Sequence, residues 1–193
     1  MKNITVILSL VALSFHSSKA QLIYSTKTAE VSFFSFAPIE DIDAHNKNMN
    51  FMLNTSTNEI VCVAMIKLFE FKKAKMQMDF NDAYMESDKY IESTFTGKIN
   101  EKIDYTKDGI YYVTVTGKLK IHGMEQTRTE KGALIVTGEK IALVSTFKVQ
   151  VKDFNVRIPK LLKWNIAEEV YVSVKADLTL DVRLSRETIE TNY

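Results

Sequence analysis

Apolar and polar residues alternate along most of this chain. In the clearest run, Val170–Arg183, every second residue from Val170 to Val182 is apolar and most of the residues between them are polar or charged. Because successive side chains of a β-strand point to opposite faces, this run predicts a long strand with one buried face. Similar runs, some weaker, occupy Glu30–Phe36, Lys47–Leu53, Ile60–Leu68, Tyr90–Ile99, Val113–Ile121, Thr127–Val136 and Ile141–Val151. The pattern therefore predicts about eight strands.

Short turn sequences lie between several of these runs. Examples are Thr55–Asn58, Asp108-Gly109, His122-Gly123 and Thr137-Gly138. Such connections predict hairpins, and hence antiparallel neighbours. Strands with one apolar face must bury it, either between two sheets or inside a closed sheet, and closure also removes exposed edges. We therefore expect an all-β fold, an extended eight-stranded antiparallel β-barrel.

Two stretches interrupt the alternation and predict short helices that cap the barrel. Within Lys73–Glu86, the residues Met76, Phe80 and Tyr84 recur at every fourth position, which is one stripe of an amphipathic helix. Pro159 precedes an apolar segment that ends at Trp164, and proline is favoured at the first position of a helix.

Two glycines, Gly97 and Gly117, fall inside predicted strands. Glycine within a strand weakens it and often marks a β-bulge or a sharp bend at a barrel corner. We therefore expect the sheet to bulge or bend at these two positions.

The N-terminus has the layout of a cleavable secretory signal. Lys2 leads into an apolar run from Ile4 to Phe15, and small and polar residues follow as far as Ala20. This run is shorter than the ~20 apolar residues of a membrane-spanning helix, and we expect no stable membrane insertion. The pattern predicts a signal peptide over residues 1–20 and one domain over residues 21–193. Cleavage near Ala20 would release the domain into the periplasm or the medium.

The charge balance of that domain argues against a polyanionic partner. Without Lys2 and Lys19 the chain has 23 basic and 24 acidic residues, and it has no basic block. We therefore expect no binding to nucleic acid or to anionic membrane surfaces. The single cysteine, Cys62, lies in an apolar run, which predicts a small buried residue rather than a reactive thiol.

Residues that could perform catalysis are sparse. The sequence has no nucleophile elbow, no phosphate-binding glycine loop and no zinc-protease helix motif. The histidines after the signal, His45 and His122, have no metal-ligand spacing with Cys62 and are interpreted as turn or surface residues. We expect a protein that is not an enzyme and has neither a metal nor a cofactor.

Four phenylalanines stand in separate predicted strands, each on the apolar side: Phe33, Phe51, Phe95 and Phe147. Two interpretations are open, because a small eight-stranded barrel can either fill with side chains or hold one ligand. In the first, these rings are core; in the second, the same surface lines a cavity.

Three segments resemble one known family. They are Tyr112–Gly123, with its Gly117-x-Leu119-x-Ile121-x-Gly123 pattern, Tyr90–Ile99, with Phe95 at its centre, and Phe147–Phe154, with its Asp-Phe ending. In order and spacing, residues 24–184 resemble the YceI-like periplasmic proteins, which are similar in shape to lipocalins and are described as polyisoprenoid- or lipid-binding. The histidine and serine of that family's first strand are missing here, so the resemblance does not identify a ligand head group.

The resemblance implies a lipocalin-like barrel with an apolar tunnel. The leading hypothesis is a periplasmic carrier that holds an isoprenoid or another long-chain lipid in the barrel. A homodimer of this carrier is compatible with the hypothesis. The alternative is a structural or stress-response interaction module whose barrel is filled by side chains. The candidate lining residues are the inward stripes, with Trp164 near the mouth: Phe33, Phe51, Ile91, Phe95, Val113, Val115, Leu119, Phe147, Val149, Val172 and Val174.

Overall fold

The strands follow one another along almost the whole described chain. The computed structural model describes residues 22–36, 40–157 and 168–185. Within these ranges the strands are β1 (Ile23–Ser35), β2 (Ile42–Asn54), β3 (Glu59–Met65), β4 (Glu70–Phe71), β5 (Glu92–Ile99), β6 (Gly109–Ile121), β7 (Met124–Thr137), β8 (Lys140–Gln150) and β9 (Glu169–Leu180). The main helix, α1 (Ala74–Asp79), continues as a π-helical turn, Phe80–Tyr84, and 3₁₀ turns occupy Ile66–Leu68 and Val151–Phe154.

Eight of these strands form a closed barrel. Their order is β1-β9-β8-β7-β6-β5-β3-β2, and β1 pairs in turn with β2, which closes the ring. Every pairing is antiparallel. The two-residue β4 pairs with β2 at Ala44 and His45, beyond the last residue that β3 pairs with. The predicted eight-stranded antiparallel barrel is confirmed.

All eight predicted runs correspond to strands of the barrel, but their bounds differ. β1 begins at Ile23, well before the predicted start, and Gly109 is already part of β6. The connection before β6 is therefore the longer segment 100–108, not a turn at Asp108-Gly109. The turn at His122-Gly123 is confirmed, with φ angles of 49° and 76° and with Ile121 paired to Met124.

The predicted amphipathic helix is also present. Met76, Phe80 and Tyr84 lie in α1 and its π-helical continuation, on the cavity side. The second predicted helix, from Pro159 to Trp164, and the predicted signal peptide lie outside the described residues. Among those described, no helix is both long and apolar enough to cross a membrane.

The two ends of the barrel differ in how they are filled. At the end that carries the β2–β3 and β7–β8 turns, large side chains pack to almost complete burial, and we call this the packed end. Its buried residues are Leu53, Ile60, Ile99, Leu134, Val136, Ile141 and Leu178. At the opposite end, which we call the helix end, α1 and the turn after it lie over the barrel.

The two strand glycines lie directly opposite each other. Gly97 of β5 pairs with Gly117 of β6, and the register from Thr94 to Ile99 is unbroken. The predicted bulge is therefore wrong, and the glycines serve close backbone approach instead. A Cβ atom on Gly117 would lie 2.5 Å from the Cα of Gly97, and the ring of Phe95 lies close over both residues.

Candidate ligand-binding cavity

A cavity of about 670 Å³ lies inside the barrel, between the packed end and α1. This volume is in the range of ~300–1,000 Å³ that is typical of small-molecule sites. Its wall is mostly aliphatic and aromatic, since it is formed by the inward-facing residues of the eight strands and by the inner side of α1. The same period of two that buries one face of each strand therefore makes the wall of the cavity.

Most of the candidate residues lie on this wall. Ten of them line the cavity: Phe33, Phe51, Phe95, Val113, Val115, Leu119, Phe147, Val149, Val172 and Val174. Contact of each with a ligand stays a prediction. Trp164 lies outside the described residues.

The prediction that Ile91 faces the interior is wrong. Its side chain is 54% exposed and is not part of the cavity wall. β5 begins only at Glu92, and the carbonyl oxygen of Ile91 accepts a hydrogen bond from the Ile66 N–H at 2.9 Å. The alternation that places Phe95 inside therefore does not extend back to Ile91.

Four phenylalanine rings close the cavity beneath the helix. Phe80 stacks on Phe33 at 5.5 Å between ring centroids, and it also lies 4.9 Å from Phe71 and 5.7 Å from Phe69. Such aromatic pairs add to the stabilisation that comes from burial alone. We call these four residues the aromatic cap. Sequence reasoning missed Phe69 and Phe71, although their i, i+2 spacing after β3 was a signal for two rings on one side.

Two ionisable groups on the wall are shifted toward their neutral forms. Cys62 is half-buried and faces the cavity from β3, and desolvation by the surrounding protein raises the pKa of its thiol. Tyr84, in the turn after α1, also has a raised pKa, because of burial and then the nearby Asp79 carboxylate. Both side chains are therefore uncharged at neutral pH.

Among the described residues, three ion pairs interrupt the apolar wall: Lys73–Glu40 and Lys75–Asp79 at the helix end, and one pair on a barrel strand. Arg128 and Glu130 of β7 both line the cavity, and the guanidinium Nε and Nη2 atoms each lie 2.6 Å from Glu130 Oε1. Sequence reasoning missed this pair. The sequence contains a signal for it, because Arg128 and Glu130 lie an even number of residues before the buried Leu134 and Val136 and therefore on the same face of the strand.

Next to this pair, β7 and β8 separate. Their ladder runs from Thr137 and Lys140 to Gly132 and Ser145 and ends there. β7 stays paired with β6 as far as Met124, and β8 stays paired with β9 as far as Gln150. We call the region between residues 124–131 and 146–150 the β7–β8 seam.

Side chains bridge the seam where the ladder has ended. Arg128 Nη2 donates a hydrogen bond to the Lys148 carbonyl oxygen at 2.7 Å, and Ser145 Oγ donates one to the Lys131 carbonyl oxygen at 2.7 Å. Farther along, Gln126 Nε2 donates to the Asp153 carbonyl oxygen at 3.1 Å. Arg128 therefore contacts both the cavity and the seam.

The histidines lie apart from the cavity wall. His122, in the β6–β7 turn, is buried, and its Nε2 lies 2.9 Å from Glu86 Oε2. His45 lies on β2, with its ring nitrogens 3.2 Å from Glu30 and 3.0 Å from Asp43. No group of three or more His, Cys, Asp or Glu side chains that could hold a metal ion occurs in the described part of the chain.

The closed antiparallel barrel, with its apolar cavity under a short helix, defines a lipocalin-like β-barrel protein. Comparison with protein families gives the narrower class. A model of the YceI-like domain matches residues 13–183, and the chain belongs to this family. The match begins within the predicted signal peptide. Comparison with curated proteins found no match.

Solved structures share the fold at low sequence identity. A polyisoprenoid-binding domain from Saccharophagus degradans, implicated in plant cell wall breakdown, is 13% identical, with a TM-score of 0.71 over 82% of this chain and 98% of that one. BcnA of Burkholderia cenocepacia is 16% identical, with a TM-score of 0.66 over 78% and 96%. The YceI protein of Campylobacter jejuni is 15% identical, with a TM-score of 0.59 over 76% and 88%.

Proposed function

We propose that this protein binds a long apolar molecule, a polyisoprenoid or a fatty-acyl lipid, inside its barrel and carries it in the periplasm or outside the cell. The observation that carries the proposal is the cavity of about 670 Å³ with its apolar wall. Family membership supports it, and so does the similar Saccharophagus degradans domain, which is described as polyisoprenoid-binding. The role is binding rather than catalysis.

The binding energy would come from burial of the ligand chain. Each buried methylene contributes ~0.8 kcal/mol, so about ten of them contribute ~8 kcal/mol. This corresponds to a micromolar Kd before the entropic cost of immobilising the chain is subtracted. Because burial is not directional, the wall would discriminate weakly between chains of similar length and thickness.

Arginine substitutions on the two faces of β6 test the proposal. Val115 faces the cavity and Thr116 faces outward. With delipidated protein and a long-chain fluorescent hydrocarbon as the probe, we expect Val115→Arg to abolish uptake and Thr116→Arg to retain it. An inward arginine is costly to bury, so a thermal melt must show that each variant is folded.

A second pair of variants avoids a buried charge. Val172 lines the cavity from β9, while its neighbour Ser173 faces the other way. Val172→Trp should occupy part of the cavity and weaken uptake of the probe at least tenfold, whereas Ser173→Trp should leave uptake unchanged. If the folded, delipidated wild-type protein takes up no apolar chain, the proposal fails and the interaction-module hypothesis replaces it.

A further inference from the structure

Most of the inner wall is apolar, and the other polar residues that the described strands place on it are serines and one threonine, so Arg128 and Glu130 are the charged residues of the strand wall. Their side chains are 22% and 19% exposed. Replacing such a pair by apolar residues of similar volume is often neutral or stabilising, because desolvation of two charges offsets much of their attraction. The stability of the barrel therefore gives little reason for charges at these two positions.

On the neighbouring strands, two glycines covered by a phenylalanine ring lie beside the pair. On β6, Gly117 lies opposite Arg128, and on β5, Gly97 lies opposite Gly117. Neither glycine extends a side chain into the barrel. The ring of Phe95, which lies over the two glycines, therefore forms an apolar surface in the same row as the guanidinium.

The hydrogen-bonding capacity of the pair is only partly used. Arg128 directs Nε and Nη2 to the same carboxylate oxygen, Glu130 Oε1, and Nη2 also donates to the Lys148 carbonyl oxygen. Among the described residues, none accepts a hydrogen bond from Arg128 Nη1 and none donates one to Glu130 Oε2. One charged donor and one charged acceptor of two residues on the cavity wall are thus without a partner among the described residues.

The net charge of the pair selects the kind of group that it can bind. The guanidinium and the carboxylate carry opposite charges, so together they attract neither an anion nor a cation strongly. An anionic head would approach Arg128 only at the cost of repulsion from Glu130. An uncharged group that both donates and accepts hydrogen bonds, such as a hydroxyl or a primary amide, can accept from the guanidinium or donate to the carboxylate without net repulsion from the pair.

We propose that Arg128 and Glu130 are the polar subsite of the cavity and bind the uncharged hydroxyl or amide head of a ligand whose chain lies along the apolar wall. This inference rests on the proposed function, since it requires a ligand chain in the barrel. The ligand head would then lie beside the β7–β8 seam, which Arg128 contacts.

The test compares ligands that differ only in their heads: hexadecane, 1-hexadecanol and hexadecanoate at pH 8.5, each delivered from cyclodextrin and measured by displacement of the fluorescent hydrocarbon. In the double variant Arg128→Met, Glu130→Leu, we expect the ratio of hexadecanol affinity to hexadecane affinity to fall about tenfold, because charge-assisted hydrogen bonding to the hydroxyl is lost. Replacing both partners leaves no unpaired charge.

The matched control removes an ion pair from the outer face of β6 and β7. Lys118 and Glu125 lie 2.9 Å apart and are both exposed, so Lys118→Met, Glu125→Leu should leave the ratio unchanged. The wild-type protein supplies a test that is independent of the folding of any variant. It should bind hexadecanol more tightly than hexadecanoate.

The outcomes separate this inference from the proposed function. If hexadecane binds and the head-group ratio is the same in the wild type and the double variant, the subsite is overturned while the carrier proposal stands. If hexadecanoate binds more tightly than hexadecanol, the head is anionic and the inference is wrong. If the folded wild-type protein binds none of the three, the carrier proposal itself fails.

Discussion

At the residue scale, the pairing of Gly97 with Gly117 shows why a side chain is excluded at these positions. A Cβ atom on Gly117 would lie 2.5 Å from both the Gly97 Cα and the Thr96 carbonyl oxygen, and these are backbone atoms. They can move aside only if the β5–β6 ladder moves with them. Sequence alone marked both glycines as unusual, but only the register shows that they face each other.

We expect Gly117→Ala to destabilise the barrel by ~1–3 kcal/mol, because overpacking forces backbone shifts of this kind. The melting temperature should fall by several degrees in a domain of this size. Thermal and urea unfolding would measure the change. Gly109→Ala is the control, since its Cβ would meet nothing closer than 3.7 Å. Equal stability of the two variants would contradict the close-approach explanation.

Alternation in the sequence predicts the orientation of a wall residue correctly where that residue lies well inside its strand. Phe95 and Val115 lie well inside β5 and β6, and alternation placed both correctly on the inner face. Ile91 was misplaced because β5 begins one residue later. Alternation shows which residues of a strand share a face, but it does not show where the strand starts. The start depends on tertiary hydrogen bonds such as the one that the Ile66 N–H donates to the Ile91 carbonyl oxygen.

At the element scale, the segment from α1 to the turn at Phe80–Tyr84 covers the helix end through its inner side chains. Phe80 makes ring contacts with three other members of the aromatic cap, which come from β1 and from the residues after β3. Met78, two residues earlier, is 55% exposed. The side of this short helical segment that carries Phe80 therefore packs on the barrel, while the side that carries Met78 is exposed.

Phe80→Ala should loosen this segment without unfolding the strands. A half-buried ring is expected to contribute about 2 kcal/mol, less than the ~3–5 kcal/mol of a fully buried one. Hydrogen exchange of the amides of residues 74–84 should accelerate at least tenfold, and exchange in the barrel strands should change much less. Met78→Ala provides the matched variant. Equal exchange in the two variants would show that the aromatic cap does not hold the segment.

The residue pattern of β7 predicts the polar positions on its inner face, but it does not predict where its pairing with β8 ends. Its run was one of the weaker ones because its inward positions include Arg128 and Glu130, which break the apolar stripe. The same break was a signal for a polar site on the inner wall. The early end of the β7–β8 ladder has no comparable signal in the sequence, because pairing between strands is a property of the assembled sheet.

At the scale of the whole molecule, the central question from the sequence was whether the barrel is filled. Alternation shows which residues face inward, whereas a cavity is the difference between the interior volume and the summed volumes of those side chains. Leucines and isoleucines fill the packed end, while shorter side chains such as Val113, Val172 and Val174 line the cavity nearer the helix end. The number of strands could be predicted from sequence, but the cavity required the structure.

Localisation also belongs to this scale. If residues 1–20 are a signal peptide, the exported protein should begin at Gln21, because small and polar residues precede the predicted cleavage site. Intact-mass measurement of protein recovered from the periplasm or medium would show the loss of these residues. A variant with Lys2→Glu and two charged substitutions between Ile4 and Phe15 should remain uncleaved. Recovery of an exported chain that still begins at Met1 would contradict the prediction.

The packed end has a kinetic consequence. Leu53, Leu134 and Leu178 occupy the barrel there, so a chain that enters beneath the aromatic cap would stop against them and would leave by the route it entered. Entry and exit would then share one transition state. A change that only eases opening of the cap, without altering a residue on the cavity wall, would raise the association and dissociation rate constants by the same factor. The lifetime of the complex could thus be tuned at the helix end while its affinity stayed the same.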